Sequence, residues 1–80
     1  MRTIAAIKPL NGYQLECVFE DGTVKIADLS GFLNAPAFTP LLDKNNFNNV
    51  SNEKYFIEWK ELELDLSSDT LWHLGKNKEQ

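Results

Sequence analysis

Glu61, Glu63 and Asp65 alternate with leucines, and Asp69 follows four residues later, making the densest set of chemistry-bearing side chains in the sequence. On a strand, alternate residues share a face about 7 Å apart, a spacing from which carboxylate oxygens can converge on a hard cation. One class of function follows: a small enzyme or divalent-metal-binding protein built on Glu61, Glu63 and Asp65. The same pattern also describes a solvated outer face, whose charges keep an edge strand from pairing with other chains. No loop glycine or carbonyl arrangement of the calcium-binding kind surrounds these carboxylates, so the solvated face is the expected role.

Other reactive side chains are few. Cys17 falls in the apolar phase of an alternating stretch (Tyr13, Leu15, Cys17, Phe19) and is expected to be buried as a small hydrophobe. A single cysteine forms no intrachain disulfide, which points to a cytoplasmic location. Zinc wants about four Cys or His ligands, or three with a carboxylate. Cys17 and His73 are the only residues of those two types, so no metal is expected and no other cofactor is implied. His73 has no nucleophile on a strained Gly-x-Ser-x-Gly turn to serve, and its place near a helix end suits the helix dipole. Glycines 12, 22, 31 and 75 lie far apart and mark turns or caps, so no phosphate-cradling loop exists. No catalytic residue is assigned.

Eight Lys and Arg against 12 Asp and Glu give a net charge of −4. That balance repels phosphate backbones, and the cations are scattered, so direct nucleic-acid binding is not expected. Between Glu53 and Asp69 six acids face two lysines, and both tryptophans, Trp59 and Trp72, lie in or beside that stretch. Tryptophan in a small domain is ordinarily core, yet it is also enriched in binding hot spots. An acidic surface with a part-exposed Trp suits a small basic protein partner. The expected binding surface is therefore Trp59, Glu61, Glu63, Asp65 and Trp72, in a non-catalytic partner-binding module.

At 42% apolar and 25% charged residues, an 80-residue chain has the composition of one globular domain rather than a disordered tail. Its ordered part is expected over about residues 3–75, with a polar tail at 76–80 that frays. No apolar run reaches the roughly 18 residues of a membrane helix, and the first residues do not resemble a signal peptide. A first strand is predicted over Thr3–Lys8, stopped by Pro9, and Asn11-Gly12 supplies a turn. Tyr13–Phe19 and Thr23–Ala27 form a hairpin around Asp21-Gly22, with Val24 and Ile26 inward. A short helix is predicted within Phe32–Leu42, limited by Pro36 and Pro40. The Asn-rich stretch around Phe47 and Val50 reads as a short irregular strand. Tyr55–Trp59 reads as a strand with Tyr55, Ile57 and Trp59 inward. Leu62, Leu64 and Leu66 change parity relative to Trp59, requiring a bulge or turn near Lys60. Ser67 caps a short helix over residues 68–74, stopped by Gly75. The sum is an α+β, two-layer domain: a mainly antiparallel sheet of about five strands with two short helices.

The ordered residues also carry a family resemblance. Tyr13-x-Leu15-x-x-x-Phe19-x-Asp21-Gly22, Asp28-Leu29, Phe38-x-x-Leu41-x-Asp43 and Phe47 are followed by Ile57-x-Trp59-x-x-Leu62, Asp65-Leu66-Ser67 and Leu71. This set resembles the bacterial family designated domain of unknown function 2442, across about residues 3–75. One departure is Glu63, where the family pattern often has Asp. The resemblance implies a two-layer α–β fold and no established catalytic residues. It also implies frequent encoding beside a second small protein of unknown function (family 4160), a layout like that of toxin–antitoxin pairs. Some relatives append a C-terminal helix-turn-helix domain, which this chain is expected to lack. An antitoxin-like or accessory member of a two-gene pair is the role the resemblance adds.

Overall fold

Strict alternation in β2 (Gln14–Phe19) is matched by burial: Leu15, Cys17 and Phe19 are buried, while Gln14, Glu16 and Val18 are only half-buried. In the computed structural model, which describes residues 2–78, β2 lies between β1 (Ile4–Leu10) and β3 (Val24–Asp28). Both pairings are antiparallel. Cys17 sits opposite Ile7, and Leu15 opposite Ala27, so these residues share the core face. β1 runs on through Pro9, beyond its expected stop. It is an edge strand, where a missing N–H removes no ladder bond.

Two tight turns set this register. At Asp21-Gly22 the chain reverses with Gly22 at φ +92°, the Gly22 N–H on the Phe19 carbonyl (2.9 Å) and the Thr23 N–H on Asp21 Oδ1 (2.9 Å). At the β1–β2 turn the left-handed residues are Gly12 (φ +77°) and Tyr13 (φ +60°), not Asn11. The hairpin register also corrects the expected inward pair of β3. Val24 and Ile26 pair with Val18 and Glu16 on the outer face, and Ala27 is the buried residue.

After Leu29, two 3₁₀ segments (Ser30–Asn34 and Pro36–Leu42) replace the single short helix expected there. Pro36 opens the second, and the tighter winding also accommodates Pro40. The Asn-rich stretch forms a helix, α1 (Lys44–Asn48), where an irregular strand was predicted. The reason is local: Asp43 accepts from the Asn45 N–H (2.9 Å), a cap that outweighs the weak helical propensity of asparagine.

The expected single sheet is split in two. A second antiparallel sheet has the order β4 (Ser51–Asn52), β5 (Phe56–Trp59), β6 (Leu64–Ser67). Between β5 and β6 a 3₁₀ turn (Lys60–Leu62) and Glu63 in the left-handed region (φ +56°) produce the parity change anticipated near Lys60. Tyr55 lies before β5 and is 51% exposed, contrary to its expected inward place; Ile57 and Trp59 are inward as predicted. Ser67 caps α2 (Ser68–Leu74) by accepting from the Thr70 N–H (3.1 Å). Gly75 ends it in extended rather than left-handed geometry (φ −75°). Glycine is needed there for space, since a Cβ would lie 2.9 Å from both the Leu71 carbonyl oxygen and Lys25 Cβ. Lys76 and Asn77, expected in a fraying tail, form β7 against β3 and complete the first sheet, β1-β2-β3-β7. Glu79 and Gln80, the rest of that predicted tail, lie outside the described residues.

One core joins the layers of this small α+β fold. Ile4, Leu15, Phe19, Leu29, Leu41, Phe47, Ile57, Trp59 and Leu71 are all buried in it. At roughly 1.5–3 kcal/mol for each fully buried large side chain, this cluster is the main source of stability. The sheets meet where the Ile4 N–H donates to the Lys54 carbonyl (2.8 Å) and Asn52 Nδ2 donates to the Ile4 carbonyl (2.9 Å).

Candidate partner-binding surface

The two tryptophans part company. Trp59 is 1% exposed, with Nε1 donating to the Phe47 carbonyl (2.9 Å) and its ring 6.2 Å from that of Phe47. This corrects its expected place on the binding surface: a ring that satisfies its N–H internally belongs to the core. Trp72, on α2, is half-buried. The Arg2 guanidinium stands 3.7 Å and Lys25 Nζ 4.1 Å from its ring centroid, and Phe19 meets it edge-on at 5.0 Å. Lys25 Nζ also donates to the Trp72 carbonyl (2.9 Å) in the last turn of α2. The surroundings of Trp72 are therefore basic, not part of the acidic surface.

The carboxylate row does not form as a row. Glu61 sits on the 3₁₀ turn, Glu63 holds the left-handed position, and only Asp65 lies on β6. Among the described residues, no group of three His, Cys, Asp or Glu side chains is arranged to hold a metal ion. The leucines that were to back the row, Leu62, Leu64 and Leu66, do pack against the core, each half-buried.

What the fold does create is an acidic pair across two strands. Glu58 on β5 lies directly opposite Asp65 on β6. Like charges opposed across an antiparallel pair are destabilising, so folding alone does not favour this placement. Lys60 Nζ partly offsets it, 4.0 Å from Glu58 and 3.7 Å from Glu53. Phe56, 36% exposed, starts the same strand beside the exposed Tyr55. Glu58 was not among the residues expected on the binding surface. Its signal was present, because alternation around Ile57 and Trp59 already turns Glu58 outward, and a tight reversal after Trp59 brings it opposite Asp65.

β6 is also the open edge of its sheet: among the described residues no strand pairs with its outer side. The Ser68 N–H donates to the Tyr55 carbonyl (2.9 Å), which fixes the alternation of the ladder. Leu66 and Leu64 keep that phase and bond β5, so Asp65 turns its N–H and C=O toward the open side. Backbone hydrogen-bonding capacity and negative charge thus coincide at one residue.

Elsewhere, titratable groups are held by local contacts. Burial, with a smaller contribution from the Glu16 charge, pushes the Cys17 thiol up to about 12, so it is an inert core group. The Lys78 ammonium, 2.7 Å from Glu16, holds that carboxyl below its ordinary range. Backbone N–H groups of Thr23 and Ser30 lower Asp21 and Asp28 in the same direction. His73 lies in the last turn of α2, as anticipated, and is exposed.

A small two-sheet α+β protein with an open, acidic β6 edge is the class that fold and surface define. The chain belongs to a family described as "Protein of unknown function (DUF2442)", whose model matches residues 4–77. No curated protein and no solved structure gives a significant match to the chain. No helix among the described residues is long and apolar enough to cross a membrane.

Proposed function

We propose that this protein is a non-catalytic binding module whose β6 edge receives an extended, basic segment of a small protein partner. The observation that carries the reading is the open side of β6, with the Asp65 backbone turned outward and the Glu58–Asp65 pair beside it. Backbone pairing would supply affinity, while the carboxylates would steer a basic strand and repel a second acidic copy. Phe56 and Tyr55 add exposed aromatic surface next to the same edge. A small basic protein encoded alongside, as in an antitoxin-like or accessory two-gene arrangement, is the partner of this kind that the family resemblance suggests. Function in the cytoplasm belongs to the same proposal. Glu61, Glu63 and Asp65, on which the alternative of an enzyme or metal site rests, lie on the 3₁₀ turn, at the left-handed position and on β6.

The test is affinity capture at native expression, followed by surface plasmon resonance of the recovered partner. Association should slow as salt rises, because exposed charges are screened over about 8–10 Å at physiological ionic strength. Asp65→Lys should reduce the on-rate more than the off-rate. Asp65→Pro removes the outward N–H without removing a ladder bond and should abolish docking while the fold persists. A salt-insensitive on-rate, with full binding by both variants, would move the interface away from β6.

A further inference from the structure

The β1–β2 turn carries a feature that partner binding does not use. Asn11 is exposed and is followed by Gly12, which lies at φ +77° with nothing within 4 Å of where a Cβ would stand. Among the described residues, neither the Asn11 side chain nor the Gly12 N–H has a hydrogen-bond partner. We propose that Asn11–Gly12 is a site of spontaneous covalent modification, at which Asn11 converts through a cyclic imide to isoaspartate and aspartate.

The chemistry is intramolecular. The Gly12 backbone nitrogen loses its proton to hydroxide and attacks Asn11 Cγ, forming a new C–N bond and a five-membered succinimide. The side-chain nitrogen leaves as ammonia. Water then adds to one of the two imide carbonyls and breaks one C–N bond. Opening on the side-chain carbonyl gives aspartate, and opening on the main-chain carbonyl gives isoaspartate, with the former side-chain methylene now in the backbone. No oxidant or cofactor enters, and the net change is loss of ammonia and gain of water.

Two requirements single out this position: an attacking N–H free of hydrogen bonds, and a following residue without a side chain in the way. The seven other asparagines all lack the second. The N–H that would attack is occupied after Asn34 (Ala35 to Phe32 carbonyl, 3.0 Å), Asn46 (Phe47 to Asp43, 3.0 Å) and Asn48 (Asn49 to Asn46, 3.1 Å). It is likewise occupied after Asn52 (Glu53 to Phe56, 2.8 Å) and Asn77 (Lys78 to Val24, 3.0 Å). Asn45 and Asn49 are followed by Asn46 and the β-branched Val50. The nearest internal comparison is Asp21-Gly22, the other tight turn with glycine. There the Gly22 N–H is bound to the Phe19 carbonyl and Asp21 Oδ1 accepts from the Thr23 N–H, so both reacting groups are engaged.

The product would be felt beyond the turn. Tyr13 follows directly at φ +60°; its ring meets Phe47 edge-on at 5.4 Å, its hydroxyl donates to the Leu42 carbonyl, and its own carbonyl accepts from the Leu29 N–H (2.9 Å). An extra backbone methylene two residues earlier displaces this anchor. Asn11 and Lys44 also line one cleft of about 340 Å³, so the new carboxylate adds negative charge beside that lysine.

The experiment is timed incubation of the full chain at physiological temperature, at neutral and at mildly alkaline pH. Peptide mapping by mass spectrometry, with fragmentation that separates aspartate from isoaspartate, follows each asparagine. Asn11 should convert first, at a rate proportional to hydroxide, with isoaspartate among the products. Asn11→Gln would need a strained larger ring and should suppress the early conversion while the circular dichroism spectrum stays unchanged. Conversion at Asn45 or Asn49 before Asn11 overturns the proposal. So does an Asn11 that persists in the folded chain while the same sequence in a short peptide reacts.

Discussion

The two sheets solve the same packing problem with different means. β1, β2 and β3 are five to seven residues long and are joined by tight turns, so neighbours in sequence are neighbours in space. β4, β5 and β6 are two to four residues long and depend on 3₁₀ and left-handed geometry between them. Yet the second sheet contributes Trp59, the largest fully buried side chain. A short sheet persists here because one large ring anchors it; a long sheet persists through many smaller contacts spread along its ladder.

The sharpest way to break that contrast is at the tryptophans. Trp59→Ala should cost about 3–5 kcal/mol, the range for emptying a large aromatic site in a core, and also leave the Phe47 carbonyl without its donor. Trp72→Ala should cost clearly less. Its ring keeps part of its surface in water, and its two cation contacts are worth roughly 0.5–1 kcal/mol each at an exposed site. Urea unfolding of both variants decides, and equal losses would remove the anchoring role of Trp59.

Glycine substitutions probe the joints of the first sheet. Gly75→Ala forces a Cβ to within 2.9 Å of the Leu71 carbonyl oxygen and Lys25 Cβ, where α2 passes β3. Overpacking of that kind costs about 1–3 kcal/mol. Gly22→Val meets no neighbour but must hold φ +92°, a strain of roughly 1 kcal/mol or more. Thermal melts should rank Gly75→Ala below Gly22→Val, and the reverse order would place the tighter constraint at the turn.

Cys17 gives an effect confined to alkaline pH, one that vanishes at neutral pH. In the unfolded chain the thiol titrates near 9.0, whereas in the folded chain it is pushed up to about 12. Between those values the unfolded state has lost a proton that the folded state retains, so stability falls as pH rises through that window. The alkaline slope of stability against pH should be shallower in Cys17→Ala than in the parent protein. Identical slopes would mean that the thiol is more exposed than its 0% surface exposure indicates.

How legible each region was in the sequence follows from the same contrast. Period-2 alternation over Tyr13–Phe19 and the Asp21-Gly22 turn are local signals, and they specify the β2–β3 hairpin well. The face of β3 was misread because the register depends on which residues the turn consumes, and a one-residue difference exchanges Val24 for Ala27. Residues 45–48, part of the Asn-rich stretch expected to be an irregular strand, are helical because a single Asp43 cap decides between helix and strand in a stretch of poor formers of either. The acidic surface was half legible. Six acids between Glu53 and Asp69 were plain, but alternation through Glu61 and Glu63 hid the turn that separates them. The pairing of Glu58 with Asp65 exists only once the hairpin has closed.

The junction at Ile4 has a kinetic meaning as well. Ile4 and Asn52 are 48 residues apart in the chain, and Ser68 Oγ reaches the Arg2 carbonyl (2.7 Å) across 66. Closing segments of that length is entropically costly and is rewarded only when the distant partner is present. During synthesis, β1 and β2 can pair as soon as their hairpin emerges, but the outer edge of β1 must wait until Lys54 and Ser68 have followed. Until then β1 presents an uncovered edge that only these later residues close.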